Sequence, residues 1–230
     1  MGMFLRRGEA PHRTRLGDLE VGSTVKINVN GTHREFLVVH QGLPSDIYDT
    51  SCNGTWLLMK DIYENRQWHS SAVNKYESST IHSYLNSTFL DLFDSNIKDA
   101  IKQVKIPYRK NGGSGGTDQS GANGLSCKIF LLSGYEVGWT TSDSKYFPQD
   151  GAKLDYFIAS SGDNSKRIAN FNGVAAVWWL RSPHTLYANY VRDVSSDGNY
   201  YFDSAQDSRG IRPAFTLPST TIVGDDMLIA

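Results

Sequence analysis

The sequence predicts an α+β domain of antiparallel sheets carrying two helices, and three stretches carry that prediction. Val25, Ile27 and Val29 alternate with polar residues, Asn30-Gly31 follows, and Glu35 to His40 returns rich in Val and Phe. Ile81, Tyr84, Leu85, Phe89, Leu92 and Phe93 recur at helical spacing between Ser79 and Val104. Ala175 to Leu180, AAVWWL, is aromatic and β-patterned.

Residues 1–15 carry Arg6, Arg7, Arg13 and Arg15 without an apolar period, which reads as a flexible arm or a peg into a larger assembly. Asn30-Gly31 supplies the two positive-φ positions of a type I′ turn, so the flanking runs form a hairpin. Trp56-Leu57-Leu58-Met59 reads as a buried strand. In the helical stretch the apolar stripe faces inward. Asp94 or Ser95 caps a second helix that buries Ile97, Ile101 and Val104 and stops at Pro107. Asn111 to Gly124, NGGSGGTDQSGANG, is expected as a long flexible loop, too rich in Gly and Ser to pack. It lacks the lysine of a phosphate-binding loop. Lys128 to Leu132 is a further core strand. Adjacent in one strand, Trp178 and Trp179 project to opposite faces. One belongs to the core, and the other is either core or an exposed stacking platform. No repeat interrupts the chain, so residues 16–220 read as one domain and 221–230 as a C-terminal tail.

Charge and composition narrow the function. Lys and Arg number 23 against 24 Asp and Glu, so no basic field favours nucleic acid as a partner. No run approaches the roughly 18 apolar residues of a membrane span, so membrane insertion is not expected. The basic N-terminus has no apolar run after it, which argues against a secretory signal and for synthesis in the cytoplasm. Cys52 and Cys127 stand in no metal-binding spacing and read as two reduced thiols, with a single disulfide as the alternative. The six histidines show neither HxH nor HExxH spacing, so no zinc site, cofactor or enzymatic centre is expected. Asp193 to Asn199 comes nearest to a calcium loop, but an Asp-Gly β-turn accounts for it better.

The informative segment is Trp178 to Pro218. Between its stiff ends, residues 184–208 hold four Tyr, four Asp, four Ser and two Asn. Tyr gives rigid amphipathic contact area, and Ser, Asn and Asp give adaptable hydrogen bonds, as in antibody loops. Arg181, Arg209 and Arg212 sit beside turn signals and are expected to tie the frame together.

WWLRSP followed by SRGIRPAFTLP, with STIHSYLNSTFL, IKQVKIPY and LSCKIFLLSGYEVG before them, resembles a domain family of gut Firmicutes, their phages and prophages. The terminal Gly-Ile-Arg also resembles the last strand of C-type-lectin-like domains of the formylglycine-generating-enzyme type. That fold is used by variable proteins of phages and diversity-generating retroelements. The resemblance implies a lectin-like sandwich whose ligand-binding positions here are Tyr187, Asn189, Tyr190, Arg192, Ser195, Asn199, Tyr200, Tyr201, Asp203 and Ser204. Retroelement mutagenesis of adenines never yields Lys, Glu, Gln, Met or Trp, and of these only Gln206 occurs between 184 and 208. The late cysteine pair of the formylglycine-generating enzymes is missing, as are the Glu-Pro-Asn and Gln-Pro-Asp calcium motifs of animal lectins.

The expectation is therefore a non-enzymatic receptor-binding or adhesin-like protein, borne on a phage tail or released to a cell surface. Its partner would be a bacterial surface protein or glycan, and several copies, a trimer if tail-borne, would add avidity. Two alternatives remain open. One is an enzyme or cofactor-binding domain with a pocket beside His184 and Asp193. The other is a structural virion component that uses the Tyr face as a subunit interface.

Overall fold

The computed structural model describes residues 13–159 and 163–230, so most of the expected N-terminal arm lies outside the described residues. Eleven strands build two sheets: β1 (Thr24–Val29), β2 (Thr32–Gly42), β3 (Gly54–Met59), β4 (Glu64–Gln67), β5 (Ile129–Phe130), β6 (Trp178–Pro183), β7 (Tyr190–Val194), β8 (Tyr200–Ser204), β9 (Ser208–Ile211), β10 (Ala214–Leu217) and β11 (Leu228–Ile229). The first sheet has the order β5-β10-β3-β2-β1-β11 and the second β8-β7-β6-β9-β4. Neighbours run antiparallel except β1 with β11 and β6 with β9. The architecture is mixed α+β, dominated by strands.

The first hairpin turns where the sequence places it. Asn30 has φ 52° and Gly31 φ 72°, the conformation a type I′ turn needs. Every residue of β3 is buried, which fits a central strand covered on both faces. Phe36 and Phe215 meet edge to face at 5.2 Å, and Phe93 reaches Phe215 at 5.4 Å, so the helical segment seals this sheet.

That segment begins with α1 (Thr80–Tyr84), capped by Ser79, whose Oγ accepts from the His82 N–H at 3.2 Å. It widens to a π turn over Leu85–Phe89 and tightens over Leu90–Leu92. Ile81, Leu85 and Phe89 are fully buried, as the stripe predicts. A second helix, α2 (Ser95–Ala100), follows Asp94, whose carboxylate is taken by Asn28 Nδ2 rather than by the helix end. The helix stops well before Pro107. Ile101 is already extended, Lys102 N–H donates to the Thr216 carbonyl, and Val104 joins a strand paired with Leu125–Cys127. Tertiary hydrogen bonding here overrides a periodic apolar pattern.

Two other expectations change. The Gly-rich stretch is structured rather than loose, though largely exposed, with Gly112 and Gly113 buried and Tyr108–Lys110 paired with Thr117–Gln119. A Cβ on Gly112 would stand 2.3 Å from Asn74 Oδ1, so glycine here serves close approach as well as a positive φ of 59°. At the other end, Leu228–Ile229 adds the parallel edge strand β11, and Ile222–Val223 pairs with Thr14–Arg15. Residues 221–230 are thus tied to the body of the protein by two short strands and are not a trailing segment.

Candidate functional site

The frame of the site is β6, whose six residues WWLRSP are all buried. Trp178 Nε1 donates to the Arg167 carbonyl and Trp179 Nε1 to that of Arg66, each at 2.9 Å. Neither indole is exposed, so the stacking platform considered for one of them does not exist. Arg181 forms a bidentate pair with Glu136 at 2.5 and 2.6 Å, both side chains fully buried. It also donates to the carbonyls of Pro107, Leu131 and Asp150. Tyr48 Oη and the Ser133 N–H donate to the same Glu136 carboxylate at 2.8 and 2.9 Å. Ser182 Oγ donates to Asp150 Oδ2 at 2.7 Å, and burial pushes the Asp150 carboxyl up to about 7. One strand thus knots loops from four parts of the chain. Arg212, donating to the Met59 and Lys60 carbonyls, and Arg209, paired with Asp203 at 2.5 Å, have the framing roles expected of them.

On this frame stands the ribbon β7–β8, with β8 as the free edge of its sheet. The register pairs Tyr190 with Ser204, Arg192 with Phe202, Asp193 with Tyr201 and Val194 with Tyr200. Side chains alternate along a strand, so the candidate residues divide between two faces. Tyr190, Arg192, Tyr200 and Ser204 share one face with Phe202, whereas Tyr201 and Asp203 share the other with Asp193. At the free edge the Tyr201 and Phe202 rings lie parallel, 5.3 Å apart, and bridge the two faces. Tyr187, Tyr200 and Tyr201 are exposed by 49%, 38% and 57%, enough for each to meet a partner. Asn199 is exposed as well, and Asn189, Tyr190, Ser195, Asp203 and Ser204 are half-buried. Arg192 departs from the expected surface position: it is 2% exposed, beneath the rings of Phe147, Phe202 and Tyr200. A guanidinium can lie flat between aromatic faces, which explains the burial.

The tip between the strands is a turn. Gly198 N–H donates to the Ser195 carbonyl, and Gly198 adopts φ 81°. Asp197 accepts from Ser195 Oγ and from the backbone and side chain of Asn199, which holds its carboxyl down at about 2. Its oxygens are spent on the turn, in keeping with the Asp-Gly reading.

Residues 184–189 form the neighbouring loop, and Asn74 holds it. The carbonyls of His184, Tyr187 and Tyr190 converge on Asn74 Nδ2 at 3.2, 2.7 and 2.7 Å, while Oδ1 accepts from Gly113 N–H at 2.8 Å. The His184 ring stacks on Tyr146 at 4.8 Å and meets Tyr187 and Phe202. Burial, reinforced by Arg192, pushes His184 down to about 4, so it is neutral. Asp193 faces the other way. Burial, then the neighbouring Asp203, pushes its carboxyl up to about 8. His184 and Asp193 therefore do not share a pocket.

Sequence reasoning missed Asn74, Glu136, Trp139, Ser144 and Phe147: Glu136 lies in the quoted LSCKIFLLSGYEVG stretch without being singled out, and the others sit in no periodic pattern or motif. The one available signal was the pair Gly112-Gly113, because buried glycines imply a backbone brought close to something. Burial pushes Cys52 up to about 11 and Cys127 higher still, and both are free thiols. Among the described residues no group of three or more His, Cys, Asp or Glu is placed to hold a metal, and no helix is long and apolar enough to cross a membrane.

Residues 53–219 match the family model described as Domain of unknown function (DUF6273). The chain belongs to this family. The match takes in the ribbon, its loop and all of the second sheet, and leaves β1, β2 and β11 outside. No curated protein and no solved structure matched the chain.

Proposed function

We propose that this member of the DUF6273 family is a non-enzymatic ligand-binding protein that presents the β7–β8 ribbon and the 184–189 loop on a lectin-like scaffold. One observation carries the reading: three exposed tyrosines sit on the ribbon and its neighbouring loop, beside a strand anchored by a fully buried ionic knot. Rigid placement lowers the entropy cost of binding, and tyrosine supplies apolar area together with a polar tip. The resemblance of the end motifs to C-type-lectin-like variable proteins supports a bacterial surface protein or glycan as the partner. It also supports display on a phage tail or cell surface, in several copies. A structural role for the same face is separated by solution mass, since it requires a stable oligomer that buries the tyrosines.

The test is a printed array of bacterial surface glycans, together with binding to intact bacterial cells, read for the wild type and for a Tyr187→Ala, Tyr201→Ala double variant. Binding by the wild type that falls about tenfold in an equally stable variant is expected. Unchanged binding by the variant, or none by the wild type, sinks the reading.

A further inference from the structure

Among the described residues four arginines are buried: Arg167, Arg181, Arg192 and Arg212. Three of them find strong acceptors. Arg181 has Glu136, Arg167 donates to the carbonyls of Gly198, Val137 and Ile158 and to Asn164 Oδ1, and Arg212 donates to two carbonyls, although its Nη1 is buried without an acceptor. Arg192 differs in the acceptor it has, a hydroxyl in place of a carboxylate or carbonyl. Its Nη2 donates to the Ser144 hydroxyl at 2.9 Å, while Nε is buried without an acceptor. Its guanidinium carbon lies 4.6, 5.5 and 5.8 Å from the ring centroids of Phe147, Phe202 and Tyr200. Those rings recover part of the lost hydration through cation–π attraction. They do not satisfy the in-plane N–H groups, and a buried donor without an acceptor is costly.

The surroundings favour an anion. The Arg192–Ser144 bond is only partly buried, so this end of the guanidinium lies near solvent. Lys145, next in sequence to Ser144, is exposed, with its ammonium 4.9 Å from the Tyr146 ring centroid. The nearby carboxylates are engaged elsewhere. Asp143 Oδ2 accepts from the backbone and side chain of Thr140, Asp203 is paired with Arg209, and Asp193 lies on the opposite face of the ribbon. His184, also close to Arg192, is neutral and adds no charge of its own.

We propose that Arg192, Ser144 and Lys145 form an anion subsite for the carboxylate of an acidic glycan, whose sugar ring rests on the neighbouring tyrosines. The proposal builds on the binding role of the ribbon and names its ligand class. A carboxylate approaching from the Ser144 side meets the planar guanidinium edge, the geometry in which arginine binds carboxylates most strongly. Lys145 adds long-range attraction that salt weakens.

The full chain is titrated with polygalacturonate as the acidic sugar, dextran as the neutral sugar and sulfate as an anion without a sugar, all at fixed ionic strength. Calorimetry and melting temperature are read together. Polygalacturonate is expected to bind and raise the melting temperature while dextran does neither, and Arg192→Gln should weaken binding at least tenfold. Because Arg192→Gln can also loosen the fold, Lys145→Ala is measured beside it and should weaken binding about threefold without moving the melting temperature. Failure of polygalacturonate to bind the wild type, equal binding of dextran, or binding unchanged in both variants overturns the subsite. Sulfate binding without polygalacturonate binding overturns the glycan assignment. If array binding depends on Tyr201 but not on Arg192, the ribbon reading stands and the anion subsite falls.

Discussion

Glu136→Ala should be among the most damaging single changes in this protein. The Glu136 carboxylate is fully buried and accepts from Arg181 twice, from Tyr48 and from Ser133. Its removal strands the Arg181 guanidinium in the interior, and breaking a buried ion pair in this way costs about 3–5 kcal/mol. At about 2–4 °C per kcal/mol for a domain of this size, the melting temperature should fall by about 6–20 °C. Urea denaturation gives the free energy directly, and thermal unfolding followed by circular dichroism gives the second measure. Arg181→Met alone should be comparably severe, because it leaves Glu136 charged and unpaired. The double variant Glu136→Ala, Arg181→Met removes both charges, so its loss should be smaller than the sum of the two single losses by about 1–3 kcal/mol. Recovery stays partial, since Tyr48 Oη, Ser133 N–H and three carbonyls lose their partners. A Glu136→Ala variant within about 1 kcal/mol of wild type, or strictly additive single changes, would refute the claim that this pair fixes the frame.

Tyr200 and Tyr201 should separate in a stability assay. Tyr200 meets Trp139 and Phe147 at 5.7 and 5.5 Å and donates to the Asp143 carbonyl, so Tyr200→Ala should cost about 1–2 kcal/mol. Tyr201→Ala, at the most exposed of the tyrosines, should stay within about 0.5 kcal/mol by the same urea titration. Asp193 carries a pH prediction. Its folded carboxyl sits up at about 8, above the ordinary 3.8, so the folded state holds a proton that the unfolded state releases. Stability contributed by this group is therefore complete at acid pH and is lost as pH rises from about 4 to about 8. Asp193→Asn should accordingly gain on wild type across that window in unfolding curves, and a constant difference would contradict the assignment. Finally, Cys52 and Cys127 should react with iodoacetamide in the native protein no faster than it unfolds, because burial keeps both thiols protonated. Mass spectrometry of timed quenches reads this, and rapid native labelling of either would count against their burial.

The parts of the fold legible in the sequence are those with a local physical signature. Asn30-Gly31 encodes its own turn, and the stripe Ile81, Leu85, Phe89 encodes one buried helix face. What misled was pattern without context. Ile101 and Val104 continue a helical period, yet the Lys102 bond to Thr216 draws the chain into strand geometry. The glycines at 112 and 113 suggested slack, whereas they are the only residues small enough to lie against Asn74 and Ala188. Composition identified the segment 184–208 but could not identify its supports, because Asn74 and Glu136 act through single side chains that contact distant carbonyls and cations.

The ten candidate positions also show how composition and geometry differ as guides to a surface. A two-stranded ribbon must send alternate side chains to opposite faces, so the candidates on its strands cannot all meet one flat partner. The register gives Tyr190, Arg192, Tyr200 and Ser204 to one face and Tyr201 and Asp203 to the other. Only at the free edge, where Tyr201 and Phe202 lie parallel, do the faces join. A ligand that engages both sets must therefore wrap the β8 edge or lie along it, whereas one that engages a single face uses about half of the candidates. On the face bearing Arg192 the segments of Ser144 and His184 pack against the ribbon, through the Arg192–Ser144 bond and the His184–Phe202 ring contact. On the face bearing Asp203 the carboxylate is paired with Arg209, and Tyr201 is exposed with its ring against Phe202. Specific recognition needs several converging groups, and around Arg192 the Ser144 hydroxyl and the rings of Phe147, Phe202 and Tyr200 do converge, which is why the proposed subsite is placed there.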